Sequence, residues 1–139
     1  MIDWYKKAIF DNYANFSGRA RRSEFWYFTL MNMIVVILLI IIAAVLAALH
    51  DNLAIVGMIL YFLYFALTII PSLAVIVRRL HDVGKSGWYY FVSLIPFIGS
   101  IWLLVLLVTD SEYGTNAWGP NPKNAAEDDI NEIGTIEQF

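Results

Sequence analysis

The chain has 139 residues, of which 60% are hydrophobic and 15% charged, whereas a soluble domain is nearer about 45–50% apolar and about 25% charged. Mean hydropathy is +0.64, so most of the chain is not written for water, and its length leaves no room for a separate soluble enzyme beside membrane segments. Net charge is −3 and cysteine is absent, which excludes disulfides, thiolate catalysis, Cys-ligated zinc and S-acylation.

Residues 3–16 open the pattern. Tyr5, Ile9, Tyr13 and Phe16 recur at helical spacing, with Lys6, Lys7 and Asn12 off that face. The spacing predicts an N-terminal helix with an aromatic face, of the kind that lies in a membrane interface. Ser17-Gly18 then turns the chain. Arg19, Arg21 and Arg22 stand before the first apolar run, and Trp26 and Tyr27 open it as an aromatic belt. Glu24 is placed to pair with an arginine.

Three runs carry no charge: 25–49, 53–77 and 88–108. A bilayer core about 30 Å thick needs roughly 20 apolar helical residues. Each of the first two runs would reach roughly 38 Å at about 1.5 Å per residue. The first run starts too late and lasts too long for a cleaved signal sequence, and no A-x-A site closes it. It is read as a retained helix.

The connection His50-Asp51-Asn52 is minimal, so the first two helices are antiparallel neighbours. Pro71 lies inside the second and calls for a neighbour to satisfy the carbonyl it frees. Lys6, Lys7, Arg19, Arg21 and Arg22 precede the first run, Arg78, Arg79 and Lys85 follow the second, and the 50–52 connection has no lysine or arginine. This bias predicts a cytoplasmic N-terminus and a cytoplasmic 78–87 loop. It is a topology signal, not a nucleic-acid footprint.

The third run, 88–108, admits two readings. As one helix it would cover about 31 Å, enough to cross and leave the tail outside. Pro96 and Gly99 at its middle would instead allow a re-entrant hairpin, which returns the tail to the inside. The turn-forming stretch 109–122 follows, and 123–139 is acidic and expected to be disordered.

The runs contain no Asp, Glu, Lys, Arg or His, which argues against a proton relay at depth. Their polar groups are Thr29, Asn32, Thr68, Ser72, Ser93 and Ser100. Asn32 is expected to make an interhelical hydrogen bond, and Ala43/Ala47 and Ala44/Ala48 are small-residue pairs that permit close helix approach. Between the runs, Arg78-Arg79-Leu80-His81-Asp82 gathers cations, an imidazole and a carboxylate. Its spacing supports neither a metal site nor a nucleotide cradle. Arginines at a helix C-terminus complement the dipole, with Asp82 pairing to one of them.

Phe16-Ser17-Gly18-Arg19-Ala20-Arg21-Arg22-Ser23-Glu24-Phe25-Trp26 resembles the opening motif of the domain-of-unknown-function 805 family, the YhaH-like small bacterial inner-membrane proteins. Arg78-Arg79-Leu80-His81-Asp82 with Gly84, Ser86, Gly87 and Trp88 resembles its central motif. Leu94-Ile95-Pro96-Phe97-Ile98-Gly99, and Gly114-Thr115-Asn116 through Trp118-Gly119-Pro120-Asn121-Pro122, resemble its closing motifs. The resemblance implies a bacterial plasma-membrane protein and no particular activity.

The expected architecture is an all-α integral membrane protein. An interfacial helix, 3–16, precedes three hydrophobic helical segments, the third either a plain span or a re-entrant hairpin. Residues 1–122 form one membrane domain, and 123–139 an acidic tail. The candidate binding cluster is Arg19, Arg22, Glu24, Arg78, Arg79, His81 and Asp82. No catalytic residue, metal or cofactor is expected. The expected partners are the bilayer with its anionic head groups, and a membrane protein or a second copy. Two further readings are an oligomeric transporter or channel, and an interfacial enzyme on a lipid phosphate with His81 as base oriented by Asp82.

Overall fold

A computed structural model describes residues 1–122, so the expectation of a disordered tail at 123–139 lies outside the described residues. The described residues are helical and form no β-strand; Asn116 and Gly119 share an isolated bridge.

Helix α1 spans Ile2–Lys6 and runs on through a π-helical turn, Lys7–Asp11. It stops short of the expected residue 16 because asparagines divert the chain. The Asn12 side chain donates to the Lys7 carbonyl at 3.3 Å, and the Asn15 amide donates to Asn12 Oδ1 at 2.8 Å. Such side-chain bonds compete with helix propagation. Tyr5 and Ile9 pack on the core around buried Ala8, as one helical face should, while Phe10 points away, 76% exposed.

Helices α2 (Arg22–Leu49) and α3 (Asp51–Asp82) form an antiparallel pair. His50 makes the reversal, its Nδ1 accepting from the Asn52 amide at 3.2 Å and capping α3. The pair is tight where Gly57 meets Ala43: a Cβ on Gly57 would stand 2.6 Å from the Ala43 Cα. The small residue anticipated at Ala43 therefore serves contact within the chain. Asn32 makes its interhelical bond, accepting at Oδ1 from the Tyr64 hydroxyl. Pro71 is buried within α3. Having no N–H, it leaves the Leu67 carbonyl without its usual helix donor, and the Tyr13 hydroxyl donates to that carbonyl at 2.8 Å.

The apolar side chains of this pair face outward. Along its most apolar stretch α2 buries none of its residues within the protein, and α3 buries 11%. Both helices are long and apolar enough to cross a membrane. An uncovered surface of leucine, isoleucine and phenylalanine on this scale is not one that water tolerates.

The third run is not one continuous helix. A 3-10 helix covers Gly87–Leu94, and α4 covers Ile98–Val108. Between them Ile98 N–H donates to the Pro96 carbonyl at 2.7 Å across Phe97, whose φ is 63° and ψ −56°. This is a γ-turn of the strained, positive-φ kind. Gly99 lies against the Val92 carbonyl with no space for a Cβ, so the two arms close into a hairpin. Its ends meet the same end of α3: Gly87 follows the α3 terminus, and the Leu107 carbonyl at the close of α4 accepts from Arg79 Nε at 3.1 Å. The core gathers there, from Ala8, Phe25, Phe28, Val75, Leu80, Leu103, Leu106 and Leu107.

Candidate functional site

Six of the seven cluster residues converge at the end of the helix pair where α2 begins and α3 finishes. Arg19, Glu24, Arg78, Arg79, His81 and Asp82 are all buried, and Arg22 alone of the seven is exposed. The cluster is therefore a buried plate and not an open array of cations.

Asp82 is its hub. Arg19 Nε donates to Asp82 Oδ1 at 3.0 Å. Arg79 Nη1 donates to the other oxygen, which also accepts from Ser111 Oγ at 2.5 Å. The Asp82 carbonyl accepts the Glu112 amide at 2.7 Å. Arg19 commits all five of its N–H donors: beyond the carboxylate they reach the carbonyls of Asp82 (3.1 Å), Glu112 (2.7 Å), Gly114 (2.7 Å) and Gly119 (3.3 Å). One guanidinium thus holds the loop before α2, the end of α3 and the closing 112–119 segment.

Arg79 does the same for α4. Its guanidinium donates to the carbonyls of Leu107, Thr109 and Ala20 as well as to Asp82. Leu107 and Thr109 sit at the C-terminus of α4, where carbonyls lack helix donors and a cation is favoured. Arg78 serves the other side, donating from Nη1 to Glu24 Oε1 at 2.6 Å, while Lys7 approaches Glu24 Oε2 at 3.5 Å. Arg78 Nε and Nη2 find no acceptor among the described residues. Two cations, Lys7 and Arg21, lie over the Trp4 ring, 5.1 and 5.7 Å from its centroid.

His81 belongs to a separate contact. Its Nδ1 meets the Gly18 carbonyl at 3.0 Å; a carbonyl only accepts, so Nδ1 carries the proton. The ring stacks on Trp118, centroids 4.6 Å apart and 8° from parallel, and Asn116 donates to the His81 carbonyl at 2.8 Å. Asp82, expected to orient His81 as a base, is held instead by two arginines and Ser111. His81 lies beyond the apolar run that ends at Val77. Burial holds its imidazole below the usual range, and the Gly18 bond acts in the opposite direction. Burial likewise lowers Arg79, with Asp82 offsetting it; a guanidinium stays protonated regardless. Among the described residues no group of His, Asp and Glu could hold a metal ion.

Sequence reasoning brought Arg19, Glu24, Arg78, Arg79 and Asp82 together but missed their partners. Lys7, Ser111, Glu112, Asn116 and Trp118 complete the plate. The signal for the last four was the turn-rich 109–122 stretch, whose carbonyls are among the acceptors the arginines use.

These features define a class: a small all-α protein with two helices fit to cross a bilayer, clamped at one end by buried ion pairs. The chain belongs to the family described as Protein of unknown function (DUF805), matched over residues 13–120, as the motifs indicated. It is 40% identical over 122 residues to Inner membrane protein YhaI of Escherichia coli (strain K12), covering 88% of this chain and 97% of that relative. To Inner membrane protein YhaH of the same strain it is 39% identical, covering 88% and 98%. No solved structure matches.

Proposed function

We propose that this chain is a multi-pass protein of the bacterial inner membrane that acts through binding, as a scaffold or partner of another membrane complex. Helices α2 and α3 cross the bilayer, the N-terminus is cytoplasmic, and 87–108 re-enters from the cytoplasmic side and returns. The names of the two relatives support the location, and the lysines and arginines flanking α2 and α3 support the orientation.

The observation that carries the reading is the plate itself. Its charges are spent internally, so Arg19, Arg78, Arg79 and Asp82 set the shape of the cytoplasmic face, and the contacts to anionic head groups and partners come from exposed Lys6 and Arg22. A photo-crosslinker beside Arg22 in cells, followed by recovery with a tagged chain, tests this. Lys6→Glu with Arg22→Glu is expected to reduce partner recovery at least tenfold while insertion and melting are retained. Unchanged recovery refutes it.

The hairpin favours a second reading, an oligomeric transporter or channel, since broken helices at membrane depth build transport sites when protein shields them. A strictly monomeric mass in mild detergent would remove it.

A further inference from the structure

Asn32, Thr68, Ser72 and Tyr90 line a cavity of about 410 Å³ between α2, α3 and the 3-10 arm of the hairpin, walled otherwise by apolar residues that include Phe65 and Leu73. The volume falls within the range of small-molecule sites, about 300–1,000 Å³, and so does the composition: mostly apolar, with a few convergent polar groups and no charge. Asn32 and Thr68 stand at one depth, each about 15 Å along its helix from Arg22 and Arg78 at about 1.5 Å per residue. That places them inside a hydrocarbon core about 30 Å thick, where an amide is costly unless used.

A chain of hydroxyls fixes how Asn32 is presented. The Tyr64 hydroxyl donates to Asn32 Oδ1, so the Tyr5 hydroxyl, 3.0 Å from it, donates to Tyr64. The relay begins in α1 and ends by pinning the acceptor side of the amide, which leaves the two N–H donors of Nδ2 for the cavity. Thr68 donates to the Tyr64 carbonyl at 2.9 Å and keeps its lone pairs. The donors of the site are then the Asn32 amide and the Ser72 and Tyr90 hydroxyls.

We propose that this cavity binds an uncharged, membrane-dissolved molecule carrying carbonyl acceptors on an apolar body, anchored by Asn32 Nδ2. A ring carbonyl of a quinone and an ester carbonyl of a glyceride share that chemistry. The absence of ionisable groups at this depth in α2 and α3 suits a neutral ligand, and the aromatic rings of Phe65 and Tyr90 suit a flat or chain-like body. The site goes beyond the partner-binding reading: it needs α2 and α3 in a bilayer but no partner protein.

The test is native mass spectrometry and equilibrium binding on the full chain in mild detergent, with a short-chain benzoquinone and with dioctanoylglycerol as probes. Asn32→Leu removes the donor, Ser72→Ala removes a hydroxyl, and Ile69→Trp fills the cavity from its rim. Each variant is first melted, so loss of fold is seen separately. One probe is expected to bind the wild type, with affinity at least tenfold weaker in Asn32→Leu and Ile69→Trp and about threefold weaker in Ser72→Ala. The probe that binds names the source. Binding of neither probe, or binding equal in wild type and in the folded variants, overturns the proposal. Partner recovery through Lys6 and Arg22 is independent of both outcomes.

Discussion

Tyr13 donates its hydroxyl to the Leu67 carbonyl at 2.8 Å, the carbonyl that Pro71 leaves without a helix donor. Pro71 in α3 and the segment after α1 are thereby one feature: the proline frees an acceptor in an apolar helix, and the N-terminal segment returns a donor to it. Tyr13→Phe should lower stability by about 1 kcal/mol, the net worth of such a bond. In a Pro71→Ala background, where the helix supplies its own N–H, the same change should cost less. Thermal melts of the four proteins in one detergent form the cycle. A penalty unchanged by Pro71→Ala would show that Tyr13 acts through packing alone.

The ion pairs should separate by how completely each is satisfied. Glu24 is the acidic partner of a buried Arg78 that has two further donors without acceptors. Glu24→Gln leaves that cation underpaired and should cost about 3–5 kcal/mol. Glu24→Met combined with Arg78→Met removes both charges and should recover much of the loss. A double variant no more stable than Glu24→Gln would contradict this account.

Arg19 differs because its fork matters as much as its charge. It reaches Asp82 and the carbonyls of three closing-segment residues. Lysine keeps the charge but not the geometry. Arg19→Lys should therefore release the 109–122 segment, read as protease cleavage there at protease levels that leave the wild type intact. Protection equal to wild type would show that charge alone suffices.

How much of this was legible in the sequence follows from what each contact needs. The long helices were, because absence of charge over a bilayer's length is a pattern in itself. The tight 50–52 reversal and a cluster built from Glu24, Arg78 and Asp82 were legible too. The pairing was legible only in part: Asp82 bonds Arg79 as expected but also distant Arg19, and Glu24 stands close to Arg21 and Arg22 in sequence yet bonds Arg78. Side-chain types allow every such permutation, and only the antiparallel register of α2 and α3 chooses. The backbone acceptors of Arg19 and Arg79 were hidden altogether, since a carbonyl has no letter in the sequence. The bend at Phe97 was marked by Pro96 and Gly99, but its sharpness depends on the close approach of Gly99 to Val92.

Helix contact at Gly57 supplies a steric test. Its missing Cβ admits Ala43, so Gly57→Leu should force the helices apart and cost about 1–3 kcal/mol. Ala43→Gly in the same chain should restore part of this. Melts that show no rescue would place the penalty elsewhere.

His81 gives a pH dependence with a definite sign. Burial depresses its folded pKa, so the folded chain holds the neutral ring, with Nδ1–H on Gly18 and one face on Trp118. A depressed value means the unfolded state takes up the proton first. The stabilising contribution is complete above the unfolded value of about 6.5 and is lost as pH falls below it toward the folded value. The measurement is a comparison with a variant that lacks the imidazole. His81→Asn keeps a donor near the Nδ1 position but does not titrate. The wild-type melting temperature should fall between about pH 7 and pH 5 more steeply than that of His81→Asn. Parallel pH profiles would mean that protonation of His81 does not contribute to the acid response.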